Sequence, residues 1–211
     1  MNTDVQSIAI LLIVLLLSMS IHEMMHAFAS DALGDDTARH MGRLSLNPIK
    51  HIDPIYTVAV PLLLLVSGSP FLFGAAKPVQ VNFNKLKYGE FGGAIVGMIG
   101  PLTNLVIAVI VALVFNNTSV AYGTAAYTFF QIAITLNVGL FVFNSIPWPP
   151  LDGSRLLYAF APRPLQELME RIEHFGLAGL MIFILLFYSI GAPIGTLMTH
   201  LVHVLAPTLV V

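Results

Sequence analysis

Ten consecutive apolar residues, Ile8 to Leu17, lead almost directly into His22-Glu23-Met24-Met25-His26. A run of that kind is stable only out of water. With no water to satisfy its backbone, it must be a helix. The spacing predicts a first membrane helix from about Asp4 to Leu33, closed by Gly34 with Asp35 and Asp36. Fourteen steps from Ile8 to His22 cover about 21 Å, in a hydrocarbon core about 30 Å thick. The two histidines and the glutamate therefore sit past the midplane, toward the helix's C-terminal side. Ionisable groups at such depth are costly, and they mark a function.

The five residues form an H-E-x-x-H pattern. Positions four apart share one helix face, so both imidazoles can reach one metal ion. Glu23 stands beside them, placed to act on a metal-bound water. A helix whose histidines only satisfy packing hydrogen bonds is the plainer reading. It leaves three ionisable groups within five positions without a counter-charge, which a dication supplies.

Composition narrows the class. Hydrophobic residues make up 57% of the chain and charged residues 9%, against roughly 25% charged in soluble domains. This predicts an all-α polytopic membrane protein with about four to six membrane segments, bilayer-embedded and without a nucleic-acid partner. The chain reads as one integral-membrane domain over 1–211. Its catalytic core covers about 4–160, and its C-terminal membrane helices about 174–206. No cysteine is present, which excludes thiolate ligands and a cysteine nucleophile. The N-terminus lacks a basic stretch and a small-residue cleavage site, so it reads as a retained helix rather than a leader.

Further spans are expected at Phe91–Phe115 and Gly123–Ile146, with apolar stretches at Gly176–Ile190 and Ala192–Leu205. Gly93, Gly97 and Gly100 give the first of these a smooth face for close helix approach. The segment Ile55–Ala76 is interrupted by Pro61 and by Ser67-Gly68-Ser69-Pro70, which predicts a re-entrant hairpin. Ala75–Asn84 alternates like a short strand, so a hairpin and strand element is expected over 55–84. Such a strand could pair with an extended substrate.

All nine Lys and Arg fall in three clusters, 39–50, 77–87 and 155–171. The positive-inside rule puts all three in the cytosol, the N-terminus outside and the motif on the cytosolic side. A catalytic zinc needs a third protein ligand. Asp152, in Pro150-Leu151-Asp152-Gly153, is one candidate. It lies two crossings beyond the motif and therefore on the same side, provided Ile55–Ala76 adds an even number. Its competing reading is an ordinary helix N-cap, and on spacing alone the two stand level. His200 and His203 read as interfacial histidines, and His174 as part of a solvated amphipathic face.

Several blocks then resemble the site-2 protease family of intramembrane zinc metalloproteases, in its compact prokaryotic branch without PDZ or CBS domains. They are His22-Glu23-x-x-His26, Gly42-Arg43-Leu44-Ser45-Leu46-Asn47-Pro48 with His51-Ile52-Asp53-Pro54, Ala76-Lys77-Pro78-Val79, Gly100-Pro101-Leu102-Thr103-Asn104, and Asn144-Ser145-Ile146-Pro147-Trp148-Pro149-Pro150-Leu151-Asp152-Gly153. Ser145 stands where the family often has proline or leucine. The resemblance implies one catalytic zinc ion held by His22, His26 and Asp152, with Glu23 as the catalytic base. It also implies that Asn104 and Asn144 lie near the site, as candidates for substrate or oxyanion contact.

The implied activity is a zinc metalloendopeptidase cutting in or near transmembrane segments of membrane-anchored proteins, in regulated intramembrane proteolysis or clearance of signal-peptide remnants. The expected partners are a membrane-protein substrate, the lipid bilayer of the cell membrane, and a regulatory partner or a second copy of the chain. A divalent-metal transporter is the alternative, which would need further polar ligands along a path. A prenyl-protein protease also carries H-E-x-x-H but lacks the proline-rich Asp-Gly block.

Overall fold

The computed structural model describes residues 5–50, 59, 78–175 and 193–210. Among them are α1 (Val5–Ala32), the one-turn α2 (Thr37–His40), α3 (Glu90–Asn116), α4 (Ala125–Asn144), α5 (Gly153–Phe160), α6 (Arg163–His174) and α7 (Pro193–Leu205). Three of these, α1, α3 and α4, are long and apolar enough to cross a membrane. The protein is an all-α membrane protein.

The three spans form an up-down-up bundle. Val96 and Gly100 of α3 lie against His26 of α1, and Asn104 lies against His22, so α3 runs antiparallel to α1. Phe115 of α3 stacks on Tyr127 of α4, and Asn104 bonds Asn137, which returns the chain antiparallel again. Large apolar side chains such as Ile13, Leu17, Val106, Ile110 and Leu113 point outward. The inward face of α3 carries Gly93, Gly97, Gly100, Asn104, Ala108 and Ala112, all buried. Small residues face inward because lipid is as apolar as leucine, so close backbone approach must hold such a bundle together.

The glycine face does what its spacing predicts. A Cβ on Gly97 would lie 2.8 Å from the Asp152 carbonyl oxygen and from Arg155 Cβ. The largest apolar cluster joins Ala108, Ala112 and Phe115 to Ile134, Val138 and Val142 of α4 and to Val202 and Ala206 of α7.

The helix ends follow local chemistry. The Thr124 hydroxyl accepts from the Tyr127 N–H at 3.2 Å and caps α4. Gly34, at φ +107°, turns the chain out of α1, a backbone region that glycine enters at little steric cost. Leu33 and Asp35 then receive the other side of the sequence. The Lys87 N–H donates to the Leu33 carbonyl at 2.8 Å, and the Asn82 N–H to the Asp35 carboxylate at 2.7 Å. The chain thus leaves α1 and enters α3 at the same end of the bundle. The expected hairpin at Ile55–Ala76 and the stretch Gly176–Ile190 lie outside the described residues.

One expectation is corrected. Among the described residues, 78–82 pair with no strand, and Phe83–Lys85 is a single 3-10 turn. The reason is local. The N–H groups of Val79 and Asn82 go to the Glu23 and Asp35 carboxylates rather than to a neighbouring strand.

Candidate metal centre

Four residues of α1, each four positions apart, form one buried polar ladder: Ser18, His22, His26 and Ser30. Every rung is answered from another part of the chain. Ser18 Oγ accepts from Asn137 Nδ2 at 2.9 Å. Ser30 Oγ donates to Asp35 at 2.9 Å. The two histidines meet Asp152, which arrives from the turn between α4 and α5.

The histidine nitrogens and that carboxylate converge tightly. His22 Nε2 lies 3.0 Å from His26 Nε2 and 3.0 Å from Asp152 Oδ2, and His26 Nε2 lies 3.4 Å from Asp152 Oδ2. A tetrahedral zinc with ligand bonds of roughly 2.0–2.2 Å separates its donors by about 3.3–3.5 Å. The triangle has the donor chemistry of a zinc site and one side of that length, the other two being about 0.3 Å or more shorter. Both histidines are 7% exposed, while the Asp152 side chain is 26% exposed and marks the open side.

Asp152 stands at the N-terminus of α5, yet its side chain makes no capping bond there. Its carboxylate turns to the imidazoles instead, which settles where the side chain points. Burial alone would raise the Asp152 carboxyl's pKa. The two imidazoles against it hold it well below the usual carboxylate range, so it stays an anionic acceptor. Gly153 makes this turn feasible, since a Cβ there would lie 2.3 Å from the Ser145 carbonyl oxygen.

Glu23 completes the cluster. Its ligand atoms and those of His22 and His26 lie within 4.8 Å of one another. Its Oε2 accepts the Val79 N–H at 3.0 Å, which fixes the carboxylate's orientation beside the triangle. Gly100 backs the site, with space for a Cβ taken by His26 Nε2 at 2.3 Å and His22 Cε1 at 2.7 Å. His26 is held from behind, its Nδ1 lying 2.6 Å from the Val96 carbonyl.

Of the two asparagines expected near the site, Asn104 touches a histidine of the triangle and Asn144 bonds its own helix. Asn104 is fully buried behind His22, 2.5 Å from its Nδ1, with no surface left for a substrate. Asn144 donates to the Leu140 carbonyl of its own helix at 3.0 Å and has no recorded bond to the triangle. His200 and His203 are exposed on α7, and His174 is exposed at the end of α6. Asn137 and Asp35 bond the outer rungs of the ladder, Ser18 and Ser30, and the motif pointed to neither. The serines were findable, because Ser18 and Ser30 extend the i+4 histidine spacing by one turn each way.

Two buried imidazoles and a carboxylate, beside Glu23, make a candidate metal centre within a helical membrane protein. No family model and no solved structure matches this chain. Over 193 residues it is 38% identical to a Bacillus subtilis protein named "Putative zinc metalloprotease YwhC", covering 88% of this chain and 82% of that one. It is 31% identical over 142 residues to "Putative zinc metalloprotease Rip2" of Mycolicibacterium smegmatis, covering 65% of this chain and 52% of that one. The Mycobacterium tuberculosis protein of the same name is 27% identical over 176 residues, covering 81% and 64%. The chain belongs to this zinc metalloprotease family.

Proposed function

We propose that this chain is an intramembrane zinc endopeptidase of the site-2 protease type, in the compact branch without PDZ or CBS domains. In this reading it cleaves peptide bonds in or near the transmembrane segments of membrane-anchored proteins. Regulated intramembrane proteolysis and clearance of signal-peptide remnants are the two roles that suit it. The observation carrying the proposal is the donor triangle of His22, His26 and Asp152, set inside a bundle of membrane-length helices.

His22, His26 and Asp152 would hold one zinc ion. Once bound, zinc supplies Lewis acidity, acidifying a water and polarising a peptide carbonyl. The protein's own steps fall to Glu23. One carboxylate oxygen is pinned by the Val79 N–H, and the other takes the proton of the attacking water. Glu23 then returns that proton to the departing amide nitrogen. Asp152, the most exposed of the donors, borders the route by which water and an unwound substrate enter.

Charge supports a cytosolic site in the cell membrane. Arg39, Arg43, Lys50, Lys85 and Lys87 lie in the segments joining α1 to α3, at the site end of the bundle. Arg155 joins them, 4.4 Å over the Phe83 ring. The divalent-metal transporter is the second reading. It would need more ligand clusters along a path, and His22, Glu23 and His26 form the only one among the described residues.

The deciding experiment uses the purified full chain with zinc in lipid nanodiscs, against a panel of single-span substrates. Glu23→Gln should keep zinc and lose cleavage, and Asp152→Ala should lose both. Normal cleavage by Glu23→Gln would remove the mechanism. Zinc flux into vesicles without proteolysis would favour transport. A reporter fused after Lys87 should read cytosolic.

A further inference from the structure

Asn104 and Asn137 are both fully buried between the spans. An amide there is costly unless its partners are complete. The two form a directed chain. Asn137 Nδ2 donates to the Ala133 carbonyl at 2.9 Å and to Ser18 Oγ at 2.9 Å. Asn104 Nδ2 donates to Asn137 Oδ1 at 2.9 Å, and Asn104 Oδ1 lies 2.5 Å from His22 Nδ1.

The direction of this chain is dictated at its far end. A backbone carbonyl only accepts, so the Asn137 atom facing Ala133 must be its NH2 group. That turns the Asn137 oxygen toward Asn104, which must answer with its own NH2. The Asn104 oxygen is then left facing His22 Nδ1. An amide oxygen has no hydrogen, so Nδ1 must carry the proton. That leaves His22 Nε2 as the nitrogen for the metal, and it points into the donor triangle. His26 Nδ1 likewise carries a proton, since it faces the Val96 carbonyl.

We propose that Asn137 is a positioning residue for the metal centre: acting only through Asn104, it sets the tautomer and ring orientation of His22. The inference rests on the zinc reading above. Without Asn137, nothing dictates which end of the Asn104 amide faces His22. The flipped amide presents NH2 to Nδ1, which moves the imidazole proton to Nε2, where the metal must bind. Partners behind a ligating histidine typically carry about 10–100-fold in metal affinity.

Two measurements on the full chain in nanodiscs test this. The first is zinc affinity, by competition with a chromophoric chelator, for wild type, Asn104→Ala, Asn137→Leu and the double variant. Each single variant should bind about 10–100-fold more weakly. The double should be no weaker than Asn104→Ala, because Asn137 works through Asn104. Multiplying losses, or wild-type affinity in Asn137→Leu, would overturn the inference.

The second is nitrogen NMR of labelled histidine in the metal-free wild-type chain, which needs neither zinc nor a variant that folds. His22 should show Nδ1 protonated, and a bare Nδ1 would overturn the inference. A wild-type chain that takes up no zinc would sink the zinc reading, while the tautomer would still decide this one. The same spectrum of Asn137→Leu separates the roles: a purely structural role for Asn137 would lower its thermal stability and leave the His22 Nδ1 proton in place.

Discussion

A single methyl group added at Gly100 should disable the metal centre while leaving the helix that carries it intact. A Cβ at that position would lie 2.3 Å from His26 Nε2, 2.6 Å from His26 Cε1 and 2.7 Å from His22 Cε1. Non-bonded carbon contacts settle at about 3.5–4.0 Å, so the His26 ring must retreat by about 1 Å. It has little freedom to do so, because its Nδ1 is bonded to Val96, one turn before Gly100 on the same helix. The same turn of α3 therefore both grips the ring and leaves space for it.

Ligand positions tolerate only a few tenths of an ångström, and a 1 Å misplacement can cost about 100-fold in rate. Gly100→Ala is therefore expected to weaken zinc binding at least about 10-fold and cleavage about 100-fold. Helix propensity runs the other way, favouring alanine by about 1 kcal/mol, so helical content should hold. The assay is zinc competition and substrate cleavage in nanodiscs, with circular dichroism alongside. Gly195→Ala on α7, where nothing lies within 4 Å of the new Cβ, is the matched control. Wild-type zinc affinity and cleavage in Gly100→Ala would show that the packing of α3 against the imidazoles is not what shapes this site.

Three further outcomes are expected. Gly153→Ala should lose zinc and fold poorly around α5, since its Cβ meets the backbone carbonyl of Ser145 at 2.3 Å; metal content after purification reads this. Asp35 is buried and accepts from Ser30, Thr37 and Asn82, so Asp35→Asn should cost about 1–3 kcal/mol and expose residues 78–85 to protease. Burial pushes the Asp35 carboxyl up, but the Thr37, Asn82 and Ser30 donors outweigh it and hold its pKa below the ordinary value. Its stabilisation is thus complete above the unfolded value, near pH 4, and is lost as pH falls through the lower folded value. Acid melting curves of wild type and Asp35→Asn should converge there. Chelation of zinc should lower the melting temperature of the wild type by mass action and leave that of Asp152→Ala unmoved.

Local periodicity carried much of this protein into view. The apolar run and the i+4 spacing of His22 and His26 define α1 and its ligand face without reference to any other residue, because a helix repeats its geometry regardless of its neighbours. The expected spans at Phe91–Phe115 and Gly123–Ile146 differ from α3 and α4 by at most two residues at each end. Positions joined across the bundle behave differently. Asp152 reaches His22 over a separation of 130 residues and Asn104 over 82, and no local pattern encodes such distances.

For Asp152, spacing alone left ligand and helix cap level, and the family resemblance favoured the ligand. The packing of α5 against Gly97 turned its carboxylate away from the cap and onto the imidazoles. Asn104 was expected near the site, and the crossing of α3 and α1 set it directly behind His22. Residues 78–82 alternate like a strand, yet Glu23 and Asp35 took the backbone donors that a strand partner would have used. Sequence determined which groups the membrane helices carry, since burial in lipid selects them one helix at a time. Only the tertiary structure decided which of those groups face one another, since that depends on how small residues let three helices approach.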